Sequence, residues 1–458
     1  MKTINSLLKS LDPDSFKNES TNDLISWIDD QNQAVKISLN LKNLSELDLW
    51  DFNYNKITHK TGKFFSVEGL SIKGKFGNKQ ISWDQPIINQ PEYGYLGIIC
   101  KEINGVLHFL LQAKIEPGNI NKVQLSPTIQ ATRSNFTKVH LGKTPHYLEY
   151  FTNPKPENIL IDQLQTEQGS RFFKKRNRNI IIYNQNVEAI DDRFRWFTLS
   201  QINRLMSIDN MVNMDTRTVI SCLPIFYSLN HLNFLDYKHT SKSENMNALF
   251  KFYSINSDEY INNWLTFKKL KCDILVNKIP LKNLKNWNIS KNKISHEDDL
   301  FFDVIGVDVS IENREVVNWN QPMIKPKKKG LIALAFCKIN DTPHFLVKTK
   351  FEIGSFDKIE FAPSIQTSNS IISNQDKKIL ELFKRGKRIF STLQSEEGGR
   401  FFNEENLNEI YEIDYYEIKS YDSDFQWLNF NQIQRLIRYS GLVNIQLRTL
   451  ISIVKFNI

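Results

Sequence analysis

Two similar blocks of sequence contain the side chains best suited to carry out chemistry. Residues 164–173 read LQTEQGSRFF and residues 393–402 read LQSEEGGRFF; they are called the first and the second block below. Each block combines a carboxylate for proton transfer, a glycine that lets a ligand approach the backbone, and an arginine whose fork fits a phosphate or carboxylate. A local ion pair between the glutamate and the arginine that closes a strand is the structural alternative. The candidates are Gln165, Glu167, Gly169 and Arg171 in the first block, and Gln394, Glu396, Gly398 and Arg400 in the second.

A second cluster, HYLEYF at residues 146–151, lies just before the first block. His146, Tyr147 and Glu149 can each donate or accept a proton once they are buried. The segment before the second block, LFKRGKRIF, keeps none of these three residue types. This asymmetry favours a division of labour in which the N-terminal half is catalytic. The alternative is that the histidine caps a turn and the tyrosine packs in a core.

A run of basic residues at 174–178, KKRNR, follows the first block, whereas an acidic NEE at 403–405 follows the second. Arginine binds phosphate in a bidentate manner and lysine acts as a point charge, so Lys175, Arg176 and Arg178 are candidates to bind a diphosphate. Solvated surface charge is the alternative. Nucleic-acid binding is disfavoured because the run is short and no recognised nucleic-acid-binding motif accompanies it.

Other recurring residues lie near the C-terminal end of each repeat. Trp196 and Trp427 each precede a helical pattern, where an indole ring either stacks on a nucleobase or packs in the core. A second set indicates a polar function in each copy, either ligand binding or tying down the end of a helix. This set pairs Asn213 with Asn444 and Arg217 with Arg448.

All these candidates lie at matching places because the chain repeats itself. WDQP at residues 83–86 recurs as WNQP at residues 319–322, and further coincidences keep the same order through both blocks to the C-terminal end. A repeat unit this large is a whole domain, which excludes a solenoid or a propeller. We therefore predict two domains, residues 1–235 and 236–458, joined within a polar stretch near residues 225–265.

A mixed pattern of strands and helices must position the candidates within each repeat. Asn104-Gly105 in the first copy and Asn340-Asp341 in the second are turn signals of β-hairpins. The runs FFSVEGLSIK and FFDVIGVDVS alternate as half-buried strands do, and RNIIIYN adds further β structure. The predicted fold class is α+β, a tandem duplication of a mixed-sheet domain with two C-terminal helices in each copy. In the first copy an apolar face at helical spacing is formed by Leu199, Ile202, Leu205 and Met206.

The composition narrows the class of protein. The chain has 458 residues, a formal net charge of +8 and 40% hydrophobic residues, as expected of a folded chain with sizeable cores. No run approaches the roughly 18 apolar residues of a membrane-spanning helix, and the start is a poor secretory signal. Four scattered cysteines disfavour a disulfide framework and a zinc site, so the cytoplasm is the expected location. Motifs typical of dinucleotide-binding, P-loop, zincin and α/β-hydrolase sites are missing.

These motifs together resemble the NDP-hexose 2,3-dehydratase family of deoxysugar biosynthesis. The resemblance rests on HYLEYF, the two blocks, the basic run, and the stretches WFTLSQINRLM and NMVNMDTRTVISCLP, and it spans essentially the whole chain. It implies two fused Nudix-like domains, a homodimer, and pockets for a nucleotide sugar. The sequence has no Nudix box, the helix that holds catalytic magnesium. Diphosphate hydrolysis is therefore not expected, and the reaction that the resemblance implies involves no redox cofactor and no obligatory metal.

The resemblance also implies a substrate, TDP-4-keto-6-deoxyglucose, whose chemistry fits the candidate residues. The 4-keto group acidifies the hydrogen on carbon 3, so a positioned base can remove it. The enolate then expels the hydroxyl of carbon 2 with help from an acid, while hydrogen-bond donors stabilise the enolate oxygen. The enol that forms tautomerises to a 3,4-diketo-2,6-dideoxy sugar, which a downstream 3-ketoreductase would consume. Neither a nucleic acid nor a membrane is an expected partner.

The resemblance assigns roles to the candidates as follows. We expect Glu167 or His146 to transfer the proton and Tyr147 to donate to the carbon-4 oxygen. Two alternatives stay open at this point, a nucleotide-sugar binding protein without turnover and a Nudix-type hydrolase with a degenerate metal site. The expected substrate-binding residues are Gln165, Arg171, Lys175, Arg176, Arg178, Trp196, Asn213 and Arg217, with Gln394, Glu396, Arg400 and Arg448 in a second pocket.

Overall fold

The computed structural model of the chain describes residues 2–15, 20–77, 79–132, 144–223, 253–312, 316–367, 373–414 and 424–457. In this part of the chain two similar halves follow one another, each rich in strands and ending in two helices. The α+β class and the duplication predicted from the sequence are thus confirmed. The predicted boundary between residues 235 and 236 lies outside the described residues.

The N-terminal half begins with two helices and continues mainly as strands. Its helices are α1 (Lys2–Leu11), α2 (Thr21–Ala34), α3 (Leu148–Thr152), α4 (Leu199–Met206) and α5 (Met214–Ser221). Its strands are β1 (Ile37–Lys42), β2 (Trp50–Asn53), β3 (Lys56–His59), β4 (Ser66–Phe76), β5 (Lys79–Asn89), β6 (Gly94–Ile103), β7 (Val106–Ile115), β8 (Val123–Pro127), β9 (Ile129–Ala131), β10 (Ile159–Thr166), β11 (Arg176–Tyr183) and β12 (Phe194–Phe197).

The C-terminal half repeats this order of strands, and in its described residues one helix precedes the first strand. Its helices are α6 (Asp258–Leu270), α7 (Asn374–Arg385), α8 (Phe430–Ile437) and α9 (Ile445–Asn457). Its strands are β13 (Cys272–Ile279), β14 (Trp287–Ile289), β15 (Lys293–His296), β16 (Phe302–Ile311), β17 (Asn318–Pro326), β18 (Gly330–Ile339), β19 (Thr342–Phe351), β20 (Ile359–Ala362), β21 (Ile365–Thr367), β22 (Lys387–Ser395), β23 (Glu405–Glu412) and β24 (Phe425–Asn429). Short 3₁₀ turns span Leu44–Glu46, Pro156–Asn158 and Leu281–Asn283.

Each half contains a seven-stranded mixed sheet. In the first half the order is β10-β11-β6-β7-β12, with β8 added to β7 and β9 to β6; the second half repeats it as β22-β23-β18-β19-β24, with β20 and β21. The pairs β6–β11 and β18–β23 are parallel and the other neighbours are antiparallel. Both predicted hairpin turns are confirmed. Their central residues adopt the left-handed conformation, with φ of 51° and 77° at Asn104-Gly105 and 48° and 56° at Asn340-Asp341.

The two smaller sheets exchange an edge strand between the halves. Strand β1 of the N-terminal half pairs antiparallel with β16, so that Ile37 lies opposite Ile311 and Lys42 opposite Gly306. Strand β13 of the C-terminal half pairs in the equivalent manner with β4, from Cys272 opposite Phe76 to Ile279 opposite Gly69. Each small sheet is therefore completed by the other half, and the two predicted domains are intertwined.

The two predicted C-terminal helices are present in both halves, and the same capping device starts the first of each pair. The Thr198 hydroxyl accepts from the Gln201 backbone N–H while the Gln201 side chain accepts from the Thr198 N–H, and Asn429 with Gln432 does the same at α8. Leu199, Ile202, Leu205 and Met206 are all fully buried, as their spacing predicts.

One hydrophobic core runs through both halves. It contains Phe109 of β7 and Phe345 of β19, together with Val219 of α5 and Leu450 of α9, all inaccessible to solvent. The half-buried alternation predicted for residues 301–310 is wrong over the first part of β16, because Phe302 and Val304 pack in one core cluster while Ile305 and Val307 pack in another. In the described residues, no helix is both long and apolar enough to cross a membrane.

Candidate active site

The two blocks form matching turns that contact the opposite half. After β10 the first block turns so that the Gly354 backbone N–H donates to the Gly169 carbonyl at 2.7 Å, and after β22 the Gly118 N–H donates to the Gly398 carbonyl at 2.7 Å. A Cβ atom at Gly354 would lie 1.8 Å from the Phe172 carbonyl oxygen. The backbones therefore approach so closely that only glycine fits.

Glu167, the candidate base of the first block, is held at the end of β10 by its own half. Its side chain is almost fully buried, its N–H donates to the Lys175 carbonyl at 3.0 Å, and its carboxylate accepts from the Asn177 side chain at 2.7 Å. Burial raises the pKa of Glu167, an effect that Arg448, Lys175 and the Asn177 hydrogen bond oppose. The carboxyl group is thus oriented, removed from solvent and shifted toward the range useful for proton transfer.

A fully buried arginine from the other half holds each block in place. Arg448 of α9 donates to the Thr166 carbonyl at 2.6 Å, directly before Glu167, and also to the Val443 carbonyl at 2.7 Å and the Thr218 hydroxyl at 3.1 Å. Arg217 of α5 donates in the equivalent way to the Ser395 carbonyl, directly before Glu396. Each block is therefore positioned by the half that does not contain it.

Around Glu167 the structure gathers further ionisable groups from both halves. The Lys175 ammonium donates to the Glu92 carbonyl, and burial lowers the pKa of Lys175 to about 8. Burial raises the pKa of Glu397 to about 7, with Arg400 opposing the shift. Asp215, at the start of α5, has a pKa well above its ordinary value because it is buried and because the negative charges of Glu167 and Glu397 act on it. Hydrogen bonds to the carboxylates of Asp215 and Glu397 are absent among the described residues.

The equivalent place around Glu396 has a different chemistry. Its carboxylate accepts from the side chains of Asn406 and Gln446, the latter at 3.0 and 3.2 Å, so both of its oxygens have neutral hydrogen-bond donors. Burial, with Glu404 adding to it, raises the pKa of Glu396 to about 7. Glu404 in turn lies 3.7 Å from the Arg171 guanidinium. The two clusters therefore differ at three matching positions: Gln168 with Glu397, Lys175 with Glu404, and Asp215 with Gln446.

Several predicted substrate-binding residues connect the two halves. The Gln165 amide donates to the Ile437 carbonyl of α8, and the Gln394 amide donates to the Met206 carbonyl of α4 at 2.7 Å. Asn213 caps α5 through the Thr216 N–H at 2.8 Å, and Asn444 caps α9 through the Leu447 N–H at 3.0 Å. Of the two functions offered for the recurring asparagines, the structure shows the tying down of a helix end.

The predicted diphosphate-binding residues separate into two groups. Lys175 lies beside Glu167, as described above. Arg176 and Arg178 project from the opposite face of β11, since neighbouring side chains of a strand alternate. There Arg178 forms a two-point ion pair with Asp162, and Arg176 stacks 3.6 Å from the centre of the Phe356 ring.

The remaining candidates of the N-terminal half lie around α3 and β12. His146 is exposed, 6.3 Å from Phe194 between ring centres. The Tyr147 hydroxyl donates to the Glu188 carbonyl and accepts from the Ile190 N–H, both at 2.9 Å. The Lys101 ammonium lies 4.6 Å above one face of Trp196. In the described part of the chain, no hydrogen bond or ion pair joins these residues to Glu167.

The arginine of each block stacks on an aromatic ring of the opposite half. Arg171 lies 4.3 Å from the centre of the Phe302 ring, and Arg400 lies 4.3 Å from that of Phe65 while donating to the Gln90 side chain at 3.3 Å. Such stacking fixes the plane of the guanidinium and leaves part of its edge for another acceptor.

Sequence reasoning did not select Asn177, Asp215 or Glu397, although all three belong to the Glu167 cluster. Asn177 and Glu397 stand inside the blocks and the basic run, and Asp215 stands between the selected Asn213 and Arg217. Aligning the two copies position by position and asking where the charge changes would have found Asp215 and Glu397. No group of three or more His, Cys, Asp or Glu side chains suited to hold a metal ion occurs in the described residues.

Comparison with known proteins decides the family. The sequence model of the family described as NDP-hexose 2,3-dehydratase matches residues 21–223 and 258–454. The chain belongs to the NDP-hexose 2,3-dehydratase family. The two matched segments correspond to the two halves of the structure, and the family predicted from the sequence is confirmed.

Curated relatives within this family carry a more specific name. Proteins named dTDP-4-dehydro-6-deoxy-alpha-D-glucopyranose 2,3-dehydratase are similar to the chain in three organisms. The one from Saccharopolyspora spinosa is 38% identical over 93% of the chain and 89% of its own length. Those from Amycolatopsis orientalis and Streptomyces violaceoruber are 36% and 34% identical, over 95% and 94% of the chain and 90% and 96% of their own lengths. These relatives support a hydro-lyase over the binding-protein and hydrolase alternatives.

Proposed function

We propose that this chain removes water across carbons 2 and 3 of TDP-4-keto-6-deoxyglucose and yields a 3,4-diketo-2,6-dideoxy sugar. Family membership supports the reaction type, and the names of the relatives support the substrate. The observation that carries the assignment of the site is the buried carboxyl of Glu167, oriented by Asn177 and Arg448 and lying beside a lysine and two carboxyl groups without hydrogen-bond partners among the described residues.

Glu167 is the base in this proposal. The 4-keto group acidifies the hydrogen on carbon 3, and a buried carboxylate with a raised pKa is a stronger base than one in water. Removal of that proton gives an enolate, whose electrons expel the hydroxyl of carbon 2 as water. Lys175, with a pKa near 8, supplies positive charge where the enolate oxygen forms.

The first cluster is the catalytic one in this proposal. It combines a base with an ammonium and further carboxyl groups, whereas both oxygens of Glu396 accept from Asn406 or Gln446 and the charge nearby is that of Glu404, at the position that matches Lys175. His146 and Tyr147 stay predicted proton-transfer residues of the same half. Arg171, Arg176, Arg178 and Trp196 stay predicted ligands of the nucleotide sugar. Gln394, Glu396, Arg400 and Arg448 stay the predicted second pocket, although the charge of Arg400 acts on Glu397 and Lys175 of the first cluster and Arg448 contacts Thr166.

The finer predictions about the molecule belong to the same proposal. Each half has a Nudix-like fold, which the mixed sheet with one parallel pair between antiparallel neighbours and its C-terminal helices supports. The domains span residues 1–235 and 236–458, with the catalytic site in the first. The protein is a cytoplasmic homodimer, and a 3-ketoreductase consumes its unstable product.

Replacement of Glu167 by Gln and, separately, of Glu396 by Gln tests the assignment. Each variant is incubated with TDP-4-keto-6-deoxyglucose and an excess of a trapping 3-ketoreductase, and the reduced product is followed by mass spectrometry. We expect a loss of about 100-fold or more in kcat for Glu167→Gln and a much smaller change for Glu396→Gln. Full activity in Glu167→Gln with none in Glu396→Gln would move the catalytic site to the second cluster.

A further inference from the structure

The internal duplication provides a reference for every residue near Glu167. In the C-terminal half, the side chain of Gln446 donates to both oxygens of Glu396 from the first turn of α9. Asp215 occupies the matching position on α5, two residues before the buried arginine in each case. An amide that contacts a carboxylate in one half is thus replaced by a second carboxyl group in the other.

The backbone around Asp215 leaves it little freedom to move away from this position. Asn213 caps α5 and also donates to the Ser126 hydroxyl at 2.9 Å, and Arg217, one turn along, is tied to Ser395. The Asp215 side chain is only 3% exposed. Although it is buried, its carboxyl group has no hydrogen-bond partner in the described residues, so its donor and acceptor capacity is free for a ligand.

Two buried carboxyl groups in one cluster do not readily both ionise at neutral pH, because the charge of one raises the pKa of the other. Burial raises the pKa of Asp215 well above its ordinary value, the negative charges of Glu167 and Glu397 add to this shift, and the Lys114 ammonium opposes it. Glu167 by contrast has Arg448, Lys175 and Asn177 beside it, all of which favour its charged form. Of the two groups, Asp215 is therefore the one that holds a proton more tightly.

We infer that Asp215 is the catalytic acid that protonates the departing hydroxyl of carbon 2, while Glu167 takes the proton from carbon 3. This inference rests on the proposed function. The C3–H electrons form the enolate; the enolate then forms the C2–C3 double bond as the C2–O bond breaks and its oxygen receives the Asp215 proton, which releases water. Glu167 ends protonated and Asp215 ionised, and transfer of one proton between them restores the starting state without any other reactant.

Substitution of Asp215 separates the two proton transfers. Asp215→Asn keeps the shape and a hydrogen-bond donor but has no proton to give. In D₂O, we expect this variant to exchange the carbon-3 hydrogen of TDP-4-keto-6-deoxyglucose for deuterium while the release of water slows by about 100-fold or more. Mass spectrometry of the recovered sugar measures the exchange, and the trapping 3-ketoreductase measures the elimination.

Three further variants complete the experiment. Glu167→Gln should abolish both exchange and elimination, and Ser221→Ala, on the same helix, should change neither. Asp215→Gln introduces the residue that the other half has at this position, so the variant is expected to fold. If it folds but does not eliminate water, the defect lies in the lost acid and not in the fold. Circular dichroism and TDP binding measure whether it is folded.

Each result has a distinct meaning. Exchange without elimination in both Asp215 variants supports the inference. Elimination at the wild-type rate in either Asp215 variant overturns it, and so does loss of exchange together with elimination in folded Asp215→Asn, since Asp215 would then be needed before the acid step. If Glu167→Gln exchanges and eliminates like the wild type, the proposed function of the cluster fails instead.

Discussion

Replacement of Arg448 by methionine should both destabilise the protein and disturb Glu167. The Arg448 guanidinium is inaccessible to solvent and makes three hydrogen bonds: to the Thr166 carbonyl at 2.6 Å, the Val443 carbonyl at 2.7 Å and the Thr218 hydroxyl at 3.1 Å. Two of these partners belong to the other half. Methionine has a similar length but donates to none of them, so two carbonyl groups at the contact between the halves lose their donor.

The size of the effect follows from these contacts. A hydrogen bond to a charged group contributes about 1.5–3 kcal/mol, so three would set an upper figure of roughly 4.5–9 kcal/mol. The true loss is smaller, because burial of the guanidinium is itself unfavourable, which is why burial lowers the pKa of Arg448. Loss of one partner from a buried charged network costs about 3–5 kcal/mol. We expect the free energy of unfolding to fall by about 3 kcal/mol.

Urea denaturation of the wild type and the variant measures this loss as a shift in the midpoint. The slope grows with the surface exposed on unfolding, so for 458 residues it is about 3 kcal/mol/M or more and the shift should be at most about 1 M. Arg435→Met is the matched control, because this arginine is partly exposed and pairs with Asp258, so its loss should cost about 0–1 kcal/mol. Removal of Arg448 also removes a charge that opposes the raised pKa of Glu167, so the acidic limb of the kcat profile should move to higher pH. An unchanged midpoint in Arg448→Met would refute the argument that this arginine ties the halves together.

Three other outcomes follow from the structure. Residues 1–235 and 236–458 should each fail to unfold cooperatively when produced separately, and the two should assemble when produced together, because β1 and β13 complete sheets of the other half. Circular dichroism and co-purification measure this, and a stable isolated half would contradict it. Gly354→Ala should lower the unfolding midpoint far more than Gly399→Ala. The new Cβ atom at residue 354 would lie 1.8 Å from a backbone oxygen, whereas the Cβ atom at residue 399 would lie 2.8 Å from the end of the Glu397 side chain, which can shift. Equal midpoints would refute this. Burial and the nearby Glu352 raise the pKa of Glu360 from 4.5 to about 7, so the folded state holds this proton more tightly than the unfolded state does. The resulting stability, up to about 3 kcal/mol, is fully present below pH 4.5 and is lost as the pH rises through 7. Glu360→Gln should therefore gain on the wild type as the pH rises from 5 to 8, and a difference in urea midpoints that does not change with pH would show the opposite.

Much of the fold could be predicted because its signals are local. The turn at Asn104-Gly105 requires two left-handed residues in succession, and few sequences satisfy this as readily as Asn-Gly. The apolar face of α4 and the capping boxes at Thr198 and Asn429 are likewise encoded within a few residues. The duplication was visible because matching residues recur in the same order across both halves.

The strand exchange could not be predicted in this way. The alternation of β1 and β13 indicates that each is a strand with one partly buried face, but it does not indicate which strand each one pairs with. Because β4 and β16 are equivalent strands of two similar repeats, pairing within a half and pairing between halves satisfy the same local pattern. Only the path of the chain in three dimensions decides between them.

The candidate site was predicted only in part, because a local pattern does not indicate which half a residue contacts. Glu167, Lys175 and the two buried arginines were selected from their types and spacing, and the structure places all of them at or beside the blocks. Their assignment to one half was not available from sequence, since Arg448 acts on the first block and Arg217 on the second. A residue can recur in both copies and still serve the copy in which it does not lie.

Because each block is held by an arginine of the opposite half, one half could change its chemistry while the structure of the other half was kept. Each block depends on the opposite half for its arginine and for the glycine that its turn contacts, so neither copy can drift freely in those positions. The side chains near the two glutamates are under no such constraint, and they are where the halves differ. Glu396 has the amide of Gln446 and the carboxyl group of Glu404 nearby, whereas Glu167 has the carboxyl group of Asp215 and the ammonium of Lys175. Because each half holds the block of the other half in place, the differences between the two copies are confined to the groups that hold or move protons.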